Sequence, residues 1–186
     1  RQQNRLRYKT RNCTRTMDRT AVAFAPGHIS GYFQRVDGDT TRTTGSCGAG
    51  LVIDHGVTTS VTPAGTTSVV ITDQLPSGNP LIRYGSGLIE ELIASLGVTA
   101  MVKTVASLPI GAGFGMSAAA ILATLTAANA VFDLELTASE IAERAHDAEV
   151  AHNTGLGDVA AAAGGGLAVR TAPGIAGVAA RLFPDV

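Results

Sequence analysis

The segment Leu108-Pro109-Ile110-Gly111-Ala112-Gly113-Phe114-Gly115-Met116-Ser117-Ala118-Ala119-Ala120 constrains this chain more than any other. Three glycines alternate through a loop and give way to an alanine-rich run that reads as a helix to about Phe132. Glycine admits positive φ and lets a ligand come close to the main chain. The first turn of a helix presents unpaired N–H groups and the positive end of the helix dipole. Such a loop feeding such a helix can cradle an anion, of which phosphate is the common biological example. Ser117 falls in the first turn, where its hydroxyl can reach a phosphate oxygen or a bound metal. The segment lacks the Gly-Lys-Ser/Thr ending of a P-loop and the Gly-x-Ser-x-Gly flanks of a nucleophile elbow. Taken alone, it fits two structures: a phosphate cradle, or a plain loop and cap between a strand and a packed helix.

The surrounding pattern is mixed α and β. Residues 20–25 read as a strand closed by Pro26-Gly27, with a turn and short continuation at His28-Ile29-Ser30-Gly31-Tyr32-Phe33. Residues 37–46 have loop composition. Residues 50–54, 56–62 and 67–72 are rich in Val, Ile and Thr and are parted by Asp54-His55-Gly56 and Pro63-Ala64-Gly65, which predicts an antiparallel meander. Pro80 then starts a helical run to about Leu96, with Leu88, Ile89, Leu92, Ile93 and Leu96 at helical spacing and Gly97 at its end. Residues 98–105 form the strand that leads into the glycine loop. Thr137 or Ser139 caps a helix to about Ala151, and residues 167–170 are a further strand.

Charge is unevenly distributed. Residues 1–16 hold Arg1, Arg5, Arg7, Lys9, Arg11 and Arg15 and no acid, so the chain from Met17 onward is acidic. An acidic body with few aromatic residues and no Trp argues against nucleic-acid binding. We expect Met17 to be the native start and residues 1–16 to be a disordered basic leader. The folded unit is then expected to cover 17–173, with 174–186 the start of a shortened C-terminal region. Cys13 and Cys47 have no metal-ligand spacing, which fits a reduced, cytoplasmic setting. No apolar run approaches the roughly 18 residues that a membrane helix needs.

Two carboxylates accompany the loop. Asp158 follows Gly155-Leu156-Gly157, and Glu149 lies on the preceding helix. Across that turn they can face one pocket, one holding Mg²⁺ and the other taking a proton from an attacking hydroxyl, the two tasks of phosphoryl transfer. Glu149 is otherwise a solvated helix residue, and Asp158 a helix cap. His28 is either a packed histidine or a site residue. His146 and His152 flank Glu149 without the His-Glu-x-x-His spacing of a zinc hydrolase. A Ser117/His152/Asp158 hydrolase has no elbow to support it.

These motifs, in this order, resemble the GHMP kinase superfamily. Ala25-Pro26-Gly27-His28-Ile29-Ser30-Gly31 is similar to its N-terminal motif, and Pro109 to Ala119 is similar to its Pro-x-x-x-Gly-x-Gly-x-Ser-x-Ala nucleotide loop. Glu149 with Gly155-Leu156-Gly157-Asp158 and Gly164-Gly165-Gly166 resembles the segment that carries the metal-binding glutamate and catalytic aspartate. Within the superfamily, Ala-Pro-Gly-His-Ile-Ser-Gly-Tyr-Phe and Gly45-Ser46-Cys47-Gly48-Ala49-Gly50 look most like the archaeal pantoate kinases. The resemblance implies an α+β fold of the ribosomal protein S5 second-domain type, with the family's C-terminal ferredoxin-like domain largely absent. It implies ATP and Mg²⁺ as cofactors, with ATP held by Pro109, Gly111, Ala112, Gly113, Phe114, Gly115, Met116, Ser117 and Ala118. Ser117 and Glu149 would bind Mg²⁺, Asp158 would be catalytic, and His28 and Ser30 would meet the substrate. The implied reaction is phosphorylation of a small hydroxy acid, pantoate favoured, for coenzyme A synthesis. The alternatives are a homoserine, shikimate or mevalonate type of kinase, or a non-catalytic nucleotide-binding module. Asp158 speaks against the homoserine branch. Mevalonate-type members have lysine where this chain has His28. The implied partners are the small-molecule substrate and a possible homodimer, with no nucleic acid and no membrane.

Overall fold

A long β-hairpin is the spine of the protein. β1 (Ala21–Val36) and β2 (Gly45–Pro63) pair antiparallel from Ala21 opposite Val61 to Val36 opposite Gly45. The structure is a computed structural model that describes residues 19–74 and 78–183; the basic segment 1–16, with Cys13, and Met17 lie outside the described residues. The free edge of β2 serves two partners: residues 57–63 pair with β5 (Ala100–Ala106), and residues 48–51 pair with β6 (Leu167–Arg170). β3 (Ser68–Asp73) lies parallel to β5, β4 (Leu81–Tyr84) closes that side, and β7 (Val178–Leu182) extends the other beyond β6. The described sheet runs β4-β3-β5-β2-β6-β7, with β1 on β2.

Three local expectations are corrected. Pro26-Gly27 and Asp54-His55-Gly56 do not end strands; the hairpin absorbs them as a register shift between Pro26 and His28. A strand kept in register on both sides of an irregularity loses few ladder bonds, and the irregularity re-aims the side chain that follows it. Strands 2 and 3 are not meander neighbours, because β5 lies between them and β3 runs parallel to it. The helix expected from Pro80 begins only at Gly87. Residues 81–84 pair with β3, Gly85 turns at φ 80°, and the Ser86 side chain caps α1 (Gly87–Ser95) by accepting from Ile89 N–H.

The helices cover one face of the sheet. Ala23, Ala25, Val57, Val61 and Val102 point into the core, whereas Val22, Phe24 and Val105 on the opposite face are exposed. That alternation is the antiparallel pattern of one buried and one solvated face. α2 (Met116–Phe132) is the central element, packed on β1, β2 and α3 (Ala138–Ala151). Its alanines 118, 119, 123, 127 and 128 are fully buried and let neighbouring backbones approach. Ile121 and Leu125 fill the remaining space, each contributing roughly 1.5–3 kcal/mol by burial. A helix apolar on every side is one buried on every side. The packing therefore fixes the direction of α2 and with it the place of its N-terminus.

Candidate active site

The glycine loop leaves β5 at Ala106 and is pinned at once to β2. The Ser107 hydroxyl accepts from Gly56 N–H and donates to the Gly56 carbonyl, both at 2.9 Å. Gly111, Gly113 and Gly115 then take φ of 84°, 84° and 64°. A Cβ on Gly111 or Gly113 would meet nothing, so glycine is required there by backbone conformation and not by lack of space. Leu108, Ile110 and Phe114 pack against the core and anchor the loop, and residues 111–113 between them are exposed. Gly115 is the N-cap of α2, and among the described residues no side chain caps this helix. By contrast, Ser86 caps α1, and a Thr137–Glu140 capping box closes α3. The first-turn amides of α2, with Ser117 half-buried among them, are thus left to a ligand.

Asp158 faces this mouth. It is the first residue of α4 (Asp158–Ala162), and its carboxyl carbon lies 3.4 Å from the place a Cβ on Gly115 would occupy. Its side chain is 26% exposed and lines a cleft of about 230 Å³ with Ser30, Ser46, Asn153, Thr154 and Arg170. Asp158 therefore stands between the loop at Gly115 and the cleft it shares with Ser30. His28 is placed differently from a substrate contact. It is 1% exposed, behind Asp158, with its Nδ1 2.6 Å from Asp158 Oδ1.

Glu149 ends up neither solvated nor in the cleft wall. It lies in the last turn of α3 and is wholly buried; among the described residues neither carboxylate oxygen has a partner in good hydrogen-bonding geometry, and the Val159 amide lies near enough only to weaken the cost of burial. A side chain on Gly155, a cleft residue, would overlap this carboxylate. Burial pushes the Glu149 pKa up to about 8, Asp158 adds to the rise, and the Val159 amide and Arg170 oppose it. A buried acid without partners is costly as an anion, so it is held neutral or waits for a cation.

Sequence reasoning missed Arg170, Ser46, Asn153 and Thr154. Arg170 ends β6, is buried, and donates from its guanidinium to the Gly157 carbonyl, which braces the residue before Asp158. Burial draws its pKa down, with Asp158, Cys47 and Glu149 acting the other way. The available signal was an arginine closing the otherwise apolar run Leu-Ala-Val-Arg, since arginine is rarely buried unless paired. The remaining histidines serve elsewhere. His146 is buried, with Nε2 on the carbonyls of Thr41 and Thr44, and His152 pairs with Glu91. Among the described residues no group of three His, Cys, Asp or Glu side chains gathers as a metal site, and no helix is long and apolar enough to cross a membrane.

Residues 83–166 match the family described as the GHMP kinases N terminal domain. The chain is 44% identical over 160 residues to a pantoate kinase of Methanospirillum hungatei, covering 85% of this chain and 55% of that protein. It is 33% identical to a pantoate kinase of Methanocaldococcus jannaschii, covering 81% and 53%. A solved structure described as a phosphotransferase related to the CoA biosynthesis pathway superposes with a TM-score of 0.73 at 28% identity, covering 90% of this chain and 58% of that one. The chain spans about half the length of the curated relatives it matches.

Proposed function

On the premise that this chain carries the N-terminal domain of the GHMP kinases, we propose that it phosphorylates a small hydroxy acid with ATP, pantoate first among the acceptors, to give 4-phosphopantoate and ADP. The observation that carries this reading is the Asp158 carboxylate, which faces both the open N-terminus of α2 at Gly115 and the polar cleft. The loop amides and the α2 dipole favour the phosphate chain at one side of the carboxylate. Asp158 takes the proton of the acceptor hydroxyl at the other side, as the new O–P bond forms and ADP leaves.

The cleft suits an acid as acceptor. Arg170 and Arg35 bring positive charge, and Ser30, Ser46 and Asn153 bring hydrogen-bonding groups for hydroxyls and a carboxylate. The two orphaned oxygens of Glu149 fit a divalent cation, and with Ser117 they would hold Mg²⁺. So small a protein ligand set is usual for Mg²⁺, which takes its other ligands from phosphates and water. When bound there, the ion supplies charge neutralisation on the phosphates.

The test is ADP release across a panel of pantoate, homoserine, shikimate and mevalonate, each with and without Mg²⁺. Pantoate should be turned over in preference. Turnover of another acceptor instead would remove pantoate and keep the kinase, whereas nucleotide binding with no turnover of any acceptor would reduce the domain to a binding module. Ser117→Ala should raise the Mg²⁺ concentration needed for half-maximal turnover about tenfold or more. An unchanged Mg²⁺ dependence would place Ser117 outside the metal shell.

A further inference from the structure

We infer that His28 is a positioning residue that fixes the Asp158 carboxylate relative to the phosphate loop; the inference rests on the phosphoryl-transfer reading of that site. Two bonds from one residue reach the two halves of the site. The His28 main-chain N–H donates to the Phe114 carbonyl at 3.0 Å, inside the glycine loop. Its side-chain Nδ1 lies 2.6 Å from Asp158 Oδ1. A carboxylate only accepts, so the ring donates and Nδ1 carries the proton. The irregularity in β1 between Pro26 and His28 is what turns the residue toward both partners.

Packing alone does not account for a histidine here. The ring is 1% exposed, and among the described residues its buried Nε2 has no hydrogen-bond partner. A side chain on Gly50, which pairs with Ser30 on β2, would overlap Nε2, so the ring occupies the space that this glycine leaves open. An apolar side chain would fill this volume without leaving a buried nitrogen unpaired. What only the histidine supplies is the Nδ1–H bond to Asp158. Two residues further along β1, Ser30 lines the cleft, so one strand links the loop, the carboxylate and the acceptor side. Without the Nδ1–H, the Asp158 side chain is free to rotate away from the line of attack, and a displacement of about 1 Å can cost about 100-fold in rate.

The test combines proton NMR with kinetics on the whole chain. The wild-type protein should show a downfield imidazole N–H resonance that disappears in Asp158→Ala and in His28→Leu. His28→Leu should lower kcat about 100-fold with the KM for ATP within about threefold of wild type. His28→Asn, whose amide N–H can stand near the position of Nδ1, should keep kcat within about tenfold of wild type. That rescue separates positioning from simple filling of the core. Absence of the resonance, wild-type kcat in His28→Leu, or equal impairment of the leucine and asparagine variants would overturn the inference. A wild-type protein that shows the resonance but turns over no acceptor would instead overturn the phosphoryl-transfer reading and leave the His28–Asp158 bond standing.

Discussion

Asp158→Asn is expected to lower turnover about 10²- to 10⁴-fold, the range that a positioned general base contributes, while ATP binds as well as before or slightly better. The amide is nearly isosteric and its oxygen can still accept from His28 Nδ1–H, so the geometry around Gly115 should persist. What disappears is the capacity to accept the acceptor proton. A negative charge next to the mouth of α2 disappears as well, and with it a repulsion against bound phosphates. Asp158 also helps to raise the Glu149 pKa, so the substitution should bring that pKa down from about 8 and tighten Mg²⁺ binding at neutral pH. Steady-state kinetics set beside calorimetric ATP titration check this. Equal losses in turnover and ATP affinity would make Asp158 a structural residue, and unimpaired turnover would remove it as the base.

The parts of this site that were legible in the sequence are those whose cause is local. The positive φ of Gly111, Gly113 and Gly115, the helix that follows them, a cap at Thr137 or Ser139 (it is Thr137) and the strand at Leu167–Arg170 all follow from residues adjacent in the chain. The meeting of His28, Gly115 and Asp158 is not local; the resemblance puts Asp158 beside the loop but implies a substrate contact for His28, and only the fold sets it against Asp158. Failures came where a distant partner decides. Leu81–Tyr84 carries no helix signal of its own and lies next to the helical spacing from Leu88 onward; pairing with β3 makes it a strand. Pro26-Gly27 reads as a break because the pairing of β1 with β2 that bridges it lies some 30 residues away. Glu149 looks like a solvated helix residue in sequence, since three-dimensional closure beneath Gly155 is what buries it. The place of Arg170 is not legible in sequence for the same reason: β6 delivers it to the cleft through its pairing with β2.

Glu149→Gln should stabilise the ligand-free protein at pH 8 and leave it nearly unchanged at pH 5. The native pKa of Glu149 is raised from 4.5 to about 8, chiefly by burial. Between those two values the unfolded chain has lost a proton that the native state still holds. Stability must then fall as pH rises, by about 1.4 kcal/mol for each pH unit, and level off above the native pKa. Over the whole window the loss is on the order of 4–5 kcal/mol, a large share of a typical domain's stability. Glutamine does not titrate, and it resembles the protonated acid in size, so the two proteins should match at the acidic end and diverge toward pH 8. Denaturant unfolding at pH 5, 6, 7 and 8 measures the difference in slope. Mg²⁺ with ADP should flatten the wild-type slope and leave that of Glu149→Gln unaltered, because a cation binds the ionised carboxylate and offsets the cost of exposing it to its apolar surroundings. Parallel pH curves for the two proteins would mean that Glu149 is solvated in solution. Divergent curves that Mg²⁺ fails to move would keep the buried acid but remove it from the metal site, and the divalent ion would then have to be held by Ser117 and the phosphates without it.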